Sequence, residues 1–175
     1  MLKQSEPQEQ FLAAYDEFSD SVLQHCAFRI SDPERAKDLT QETFMKVWEY
    51  ITEGNEVRNM KALVFHVLRN LIIDEYRGRK KKSFSLDALK EDGFDPPVMG
   101  DNHILAESDT RIVTKAMHEL PDNYREVLLL RYIDELPVKE VAELVGESEN
   151  AISVRIHRGL KILRKNLGIE ETETV

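Results

Sequence analysis

The sequence predicts an all-α fold of two small helical domains joined by a flexible acidic linker. Three observations carry that expectation. Apolar residues recur at three- and four-residue spacing along most of the chain, the period of a helix with one buried face. Seven Gly and six Pro in 175 residues are too few for the many tight turns of a β-design. The helical period is lost in one acidic stretch, residues 83–109, which divides the chain into two helical segments.

Residues 8–30 read as the first helix, with Phe11, Tyr15, Phe18, Val22 and Cys26 on one stripe. Cys26 lies on that stripe, so it reads as a buried structural thiol. Ser31-Asp32-Pro33-Glu34 is a helix start: Asp32 suits the cap and Pro33 the first turn. The second helix, 33–51, places Ala36, Leu39, Thr43, Val47 and Ile51 on one face, and Thr52–Asn55 ends it. The third, 59–77, is apolar on nearly every side through Ala62–Leu68 and Leu71–Ile73, and a basic run to Lys82 follows. Such a helix is either buried on two faces or lends one face to a partner.

The linker 83–109 carries Asp92-Gly93, Pro96-Pro97 and Gly100-Asp-Asn102. It is longer than ordinary loops. Beyond it, Ile112, Ala116, Met117 and Leu120 mark a short helix stopped by Pro121. Tyr124–Tyr132 is helical, with Val127, Leu128, Leu130 and Arg131 filling two faces. Asp134–Pro137 is a turn, and Val138, Val141, Ala142 and Val145 form a two-turn apolar stripe. Gly146 stops that helix in a left-handed conformation, and Ser148 caps the last helix, which runs to about Asn166. The expected domains are 8–82 and 110–168.

One cysteine excludes an internal disulfide framework. The start MLKQSEPQEQ lacks an apolar signal core, and no stretch approaches the ~20 apolar residues of a membrane span. The expected compartment is the cytoplasm. His25, His66, His103, His118 and His157 are scattered without metal-ligand spacing, and no nucleophile motif or phosphate-cradling glycine loop appears. No metal, cofactor or catalytic residue is expected, and the chain is not read as an enzyme.

The net charge of −9 speaks against nucleic acid as a partner, but its arrangement reverses that. Residues 58–82 hold 8 basic and 2 acidic residues, and 148–168 hold 5 and 1. The remaining blocks are acidic, the linker at net −6. A phosphate backbone would bind at the two basic blocks.

Val138–Lys165 fits the helix-turn-helix pattern, whose second helix lies in the DNA major groove. On a wheel, Ile152, Ile156, Leu160, Leu163 and Leu167 form one stripe. Arg155, Arg158, Lys161 and Lys165 fall on the roughly opposite side. Ser148, Glu149, Asn150 and Ser153 occupy the helix start, the part that reaches base edges. Residues 59–82 interleave Phe65 and Tyr76 with Arg58, Lys61, Arg69 and Arg77, a combination suited to unstacked bases. An ordinary core helix with a basic end fits that segment equally well, and the residues alone do not choose. They also leave open a stand-alone helix-turn-helix regulator with residues 1–82 as a sensing or dimerising domain.

The order of four segments resembles bacterial RNA polymerase sigma factors of the sigma-70 family, extracytoplasmic-function type. Asp38-Leu-Thr-Gln-Glu-Thr-Phe44 with Val47-Trp48 resembles the polymerase-binding helix. Ala62–Arg77 resembles the helix that recognises the −10 promoter element. Leu120–Tyr132 resembles the start of the family's fourth region, and Val138–Lys165 its −35-reading helix-turn-helix. The resemblance implies that Asp38, Leu39, Gln41, Glu42, Phe44, Val47 and Trp48 bind the clamp helices of the polymerase largest subunit. It places Asn55, Arg58, Lys61, Arg69, Asn70, Tyr76 and Arg77 at the −10 strand, where the loop 52–59 lines a pocket for a flipped base. It places Ser148, Asn150, Ser153, Arg155, His157, Arg158 and Lys161 at the −35 duplex. The implied partners are core RNA polymerase (clamp helices and flap), promoter DNA and, by family habit, an anti-sigma factor. The linker would thread the polymerase's channels. Ser153 stands where many relatives carry an extra Arg or Lys, so direct −35 readout is expected to be weaker.

Overall fold

The computed structural model describes residues 5–83 and 107–169. The chain divides into two units, residues 1–95 and 96–175. The first is built from α1 (Ser5–Arg29), α2 (Pro33–Thr52) and α3 (Met60–Ser83). The second contains α4 (Glu107–His118), α5 (Asp122–Leu128), α6 (Val138–Val145) and α7 (Glu149–Asn166). The regular structure of the described residues is entirely helical.

Unit one is a three-helix packing in which each helix contributes one stripe. Phe18, Val22 and Cys26 from α1 meet Leu39, Phe44 and Val47 from α2 and Val64, Phe65, Leu68 and Ile72 from α3, all buried. Burying each of the larger side chains stabilises by roughly 1.5–3 kcal/mol. Asp32 caps α2 as its sequence foretells, accepting from the Glu34 and Arg35 amides at 3.0 and 3.3 Å. Asn59 does the same for α3, its side-chain oxygen accepting from the Ala62 amide at 3.0 Å. Buried Thr43 donates its hydroxyl to the Leu39 carbonyl at 2.7 Å, which lets a polar residue sit in the core.

Two stripe assignments change. Tyr15 stays exposed and Phe11 is half-buried; they cover the rim of the core with Phe44 and Trp48. The ring centroids are 5.2 Å apart for Phe11–Trp48 and 4.9 Å for Tyr15–Phe44, both edge-on. Ile112, expected in the second core, is exposed. α3 runs to Ser83 and α4 begins at Glu107, so both ends of the expected linker are helical. The rest of the linker lies outside the described residues.

Unit two departs from simple α-helix at one point. Leu129–Ile133 is π-helical: the Asp134 amide donates to the Leu129 carbonyl at 3.0 Å, and the Leu136 amide to the Leu130 carbonyl at 2.9 Å. The wider turn goes with continuous burial of Glu126 to Leu130, five consecutive residues that a straight surface helix would not bury. Arg125 ties off the end of α4, donating to the carbonyls of Met117, His118 and Leu120 at 3.0, 2.8 and 2.7 Å. α7 crosses α5 at Gly159, where an added Cβ would lie 3.3 Å from Leu128 Cδ1. Asn166 fastens the far end of α7 to the Ala116 carbonyl at 3.3 Å.

Candidate polymerase and nucleic-acid interfaces

The helix-turn-helix is built by α6 and α7. Gly146 has φ +79°, the left-handed conformation that glycine adopts without a Cβ penalty. The amides of Gly146 and Glu147 both donate to the Ala142 carbonyl, at 2.9 and 3.0 Å, which closes the end of α6. Ser148 caps α7 by accepting from the Ala151 amide at 3.1 Å. That bond uses one lone pair of the hydroxyl, and its O–H can still donate. Ile152 and Ile156 anchor α7 in the core.

The opposite side of α7 is a single exposed face of Asn150, Ser153, Val154, His157, Arg158, Lys161 and Lys165. Val154 escaped the sequence reading, although it lies four residues from both Asn150 and Arg158. Arg155 differs from its neighbours. It is half-buried, and its Nη2 donates to both carboxylate oxygens of Glu147 at 2.6 and 2.5 Å. The sequence reading set Arg155 among the outward cations; folding has already given its charge a partner.

In unit one, the α2 segment expected to bind polymerase separates into two faces. Leu39 and Val47 are fully buried and Phe44 nearly so. They cannot reach a partner, and their assignment as contact residues is corrected: the three-residue offset from Asp38 to Gln41 follows one face, while Leu39 and Phe44 turn inward. The exposed face is Asp38, Gln41, Met45, Trp48 and Glu49, with Glu42 at its edge. Met45 was missed; its place four residues after Gln41 and three before Trp48 was the available signal.

Glu42 belongs to a network. Arg35 bridges Glu42 on α2 and Glu75 on α3, at 2.8 Å to each, and Arg79 lies 3.5 Å from Glu75. The hydrogen bond from Arg35 holds the Glu75 carboxyl below its ordinary range, and the two carboxylates push the Arg35 guanidinium above its own.

The expected −10 residues are dispersed in their environments. Asn70 faces outward and lies 3.2 Å from His66 Nε2; Arg77 is exposed, 3.8 Å from Asp74. His66, Asn70, Asp74 and Arg77 thus share the outer face of α3. Arg69 and Lys61 are half-buried beside it. Arg58 is exposed in the loop, 3.4 Å from Glu56. Asn55 is used by the loop itself, donating to the Tyr50 carbonyl at 3.1 Å. Tyr76 donates to the Arg29 carbonyl at 2.6 Å, and the Arg29 guanidinium lies 5.3 Å from its ring centre. The structure gives Tyr76 the work of joining α3 to α1.

Comparison with known proteins agrees with this arrangement. Residues 14–82 match sigma-70 region 2, and residues 110–163 match sigma-70 region 4. The extracytoplasmic-function sigma factor SigM of Bacillus subtilis is 32% identical over 90% of this chain and 96% of its own length. The chain belongs to the extracytoplasmic-function sigma factors of the sigma-70 family. SigW of the same organism is 28% identical, covering 91% of this sigma factor and 90% of its own chain. Among solved structures, the sigma factor RpoE of Bartonella quintana, in complex with the anti-sigma factor NepR, is 25% identical. Its TM-score is 0.68, over 89% of this chain and 97% of that one. CnrH, solved with the cytosolic domain of CnrY, shares the fold at TM-score 0.67 and 20% identity, over 94% and 91% of the two chains. The sigma factor's role is promoter recognition for RNA polymerase. No helix among the described residues is long and apolar enough to cross a membrane.

Proposed function

We propose that this sigma factor divides promoter recognition between its units, with region 2 (8–82) engaging polymerase and the −10 element and region 4 (110–168) reading the −35 duplex. The observation that carries the division is charge segregated by face. On α7, Arg158, Lys161 and Lys165 flank Asn150 and Ser153 on one exposed side, with the core on the other. On α2, Asp38, Gln41 and Glu42 present an acidic edge around Met45 and Trp48, suited to an arginine-rich helical partner such as the clamp helices. On α3, His66, Asn70 and Arg77 face the single strand. Asn55 and Tyr76 act by shaping the loop and seating the helix rather than by touching bases. The flap would take region 4.

An anti-sigma partner is part of the proposal, supported by RpoE, solved with the anti-sigma factor NepR. So is a cytoplasmic, non-catalytic role, in which polymerase supplies the chemistry. The free chain, net −9, binds promoter DNA poorly, and polymerase covers the acidic faces before the basic ones act. Run-off transcription with core polymerase on a genomic fragment library tests this. Factor-dependent transcripts from a shared −35/−10 sequence are expected. Tight duplex binding by the free chain, with no polymerase-dependent transcript, would overturn it.

A further inference from the structure

Glu147 has no place in the recognition scheme so far, yet it is the residue that holds Arg155. The two are eight positions apart, Glu147 in the turn between α6 and α7 and Arg155 on α7. Glu147 is placed by the hydrogen bond that its backbone N–H donates to the Ala142 carbonyl, and Arg155 is set on the second turn of α7. Both backbones are held by main-chain hydrogen bonds. Most exposed ion pairs are weak because two long side chains must be ordered to form them; here much of that ordering is done by the turn. The geometry is close, with one guanidinium nitrogen forked across both carboxylate oxygens. The side chains are 20% and 37% exposed, so the pair lies at the surface where a DNA strand would arrive.

We propose that Glu147 is a specificity-determining residue that occupies Arg155 and keeps it from unselected phosphates. This rests on the reading that α7 faces duplex DNA. A phosphate approaching Arg155 must displace a carboxylate of the same sign, and the displaced carboxylate then faces a polyanion. On random duplex that exchange gains little. On the proper element, contacts from Asn150, Arg158 and Lys161 bring the strand in, and Arg155 is released to it. The +4 block around α7 therefore acts on random DNA as a weaker cation than its sequence indicates.

The test is a titration of the full-length chain with a random-sequence duplex at several salt concentrations. Wild type is compared with E147Q, R155A, the double variant, R158A, and E143Q as a charge-matched control on the exposed side of α6. Melting curves establish that each is folded. E147Q is expected to bind roughly threefold to tenfold more tightly at low salt, with the salt slope steeper by about one. E143Q should change affinity less than about twofold, the screened effect of a single exposed charge. Adding R155A to E147Q should abolish the gain, and R155A alone should lose less than R158A. With polymerase present, E147Q should lower the preference for promoter over random duplex. Equal or weaker binding by E147Q, a gain matched by E143Q, or a gain that survives R155A overturns the proposal. If R158A leaves binding unchanged, the placing of α7 on DNA fails instead.

Discussion

Asp38 and Leu39 are adjacent, and their side chains serve different ends: one is exposed, the other fully buried. Substitution separates them. Leu39→Ala should cost about 2–5 kcal/mol of stability, as a large-to-small change in a packed core. Asp38→Ala or Gln41→Ala should change stability by less than about 0.5 kcal/mol and still weaken capture of core polymerase. Urea unfolding beside a polymerase pull-down distinguishes the two; full polymerase binding by both surface variants would remove that face from the interface. His118 carries a second residue-level prediction. Burial, then the charge of Arg125, pushes its imidazole down to about 4 from 6.5. An unfolded chain takes up that proton near pH 6.5, whereas the folded chain resists until about 4. The contribution is full above pH 6.5 and is lost as pH falls toward 4. Discounted for partial exposure, the loss is about 1 kcal/mol by pH 5. Urea midpoints of His118→Gln should show a flatter fall from pH 7 to 5 than wild type.

At the scale of elements, α2 and α3 are joined by Arg35. Arg35→Ala removes the closer of the two arginines at Glu75, leaving Arg79 at 3.5 Å, and should cost about 1–2 kcal/mol, read from the unfolding midpoint. α5 and α7 are joined differently, by the absence of a side chain at Gly159. Gly159→Leu should cost about 1–3 kcal/mol through overpacking against Leu128 and Tyr124; an unchanged melting temperature would mean that α7 can shift. These elements were largely legible in the sequence. Asp32-Pro33 and Gly146 mark helix ends by local chemistry, and the structure places them there. The burial of Ala36, Leu39 and Ile51 followed from period alone. What stayed hidden was non-local. Nothing near Tyr76 foretells that Arg29, 47 residues earlier, receives its hydroxyl, and nothing near Arg155 foretells Glu147. The π-helical turn was also illegible, because it answers to how much of 126–130 the fold buries.

For the whole molecule, the two units respond to acid through different groups. Region 4 depends on a neutral His118, region 2 on an ionised Glu75 held down by Arg35. The first contribution fades below pH 6.5, the second only as pH falls below the ordinary glutamate range near ~4.3. Acidification should therefore loosen region 4 before region 2. Hydrogen exchange across a pH series would show it, and the reverse order would mean that other groups govern. The charge map acts at the same scale: −9 in total, with half of the 24 Lys and Arg on α3 and α7.

Cys26 gives this molecule a built-in clock. It is the single thiol in the chain and is fully buried in the region 2 core. A thiol reagent can modify it only when the packing of α1 against α2 and α3 opens. Its labelling rate under native conditions therefore reports the opening of region 2 alone, in a full-length chain and with no engineered labelling site. Seating the protein on polymerase should lengthen the labelling time if α2 is the docked helix. An unaltered rate would leave that helix outside the contact.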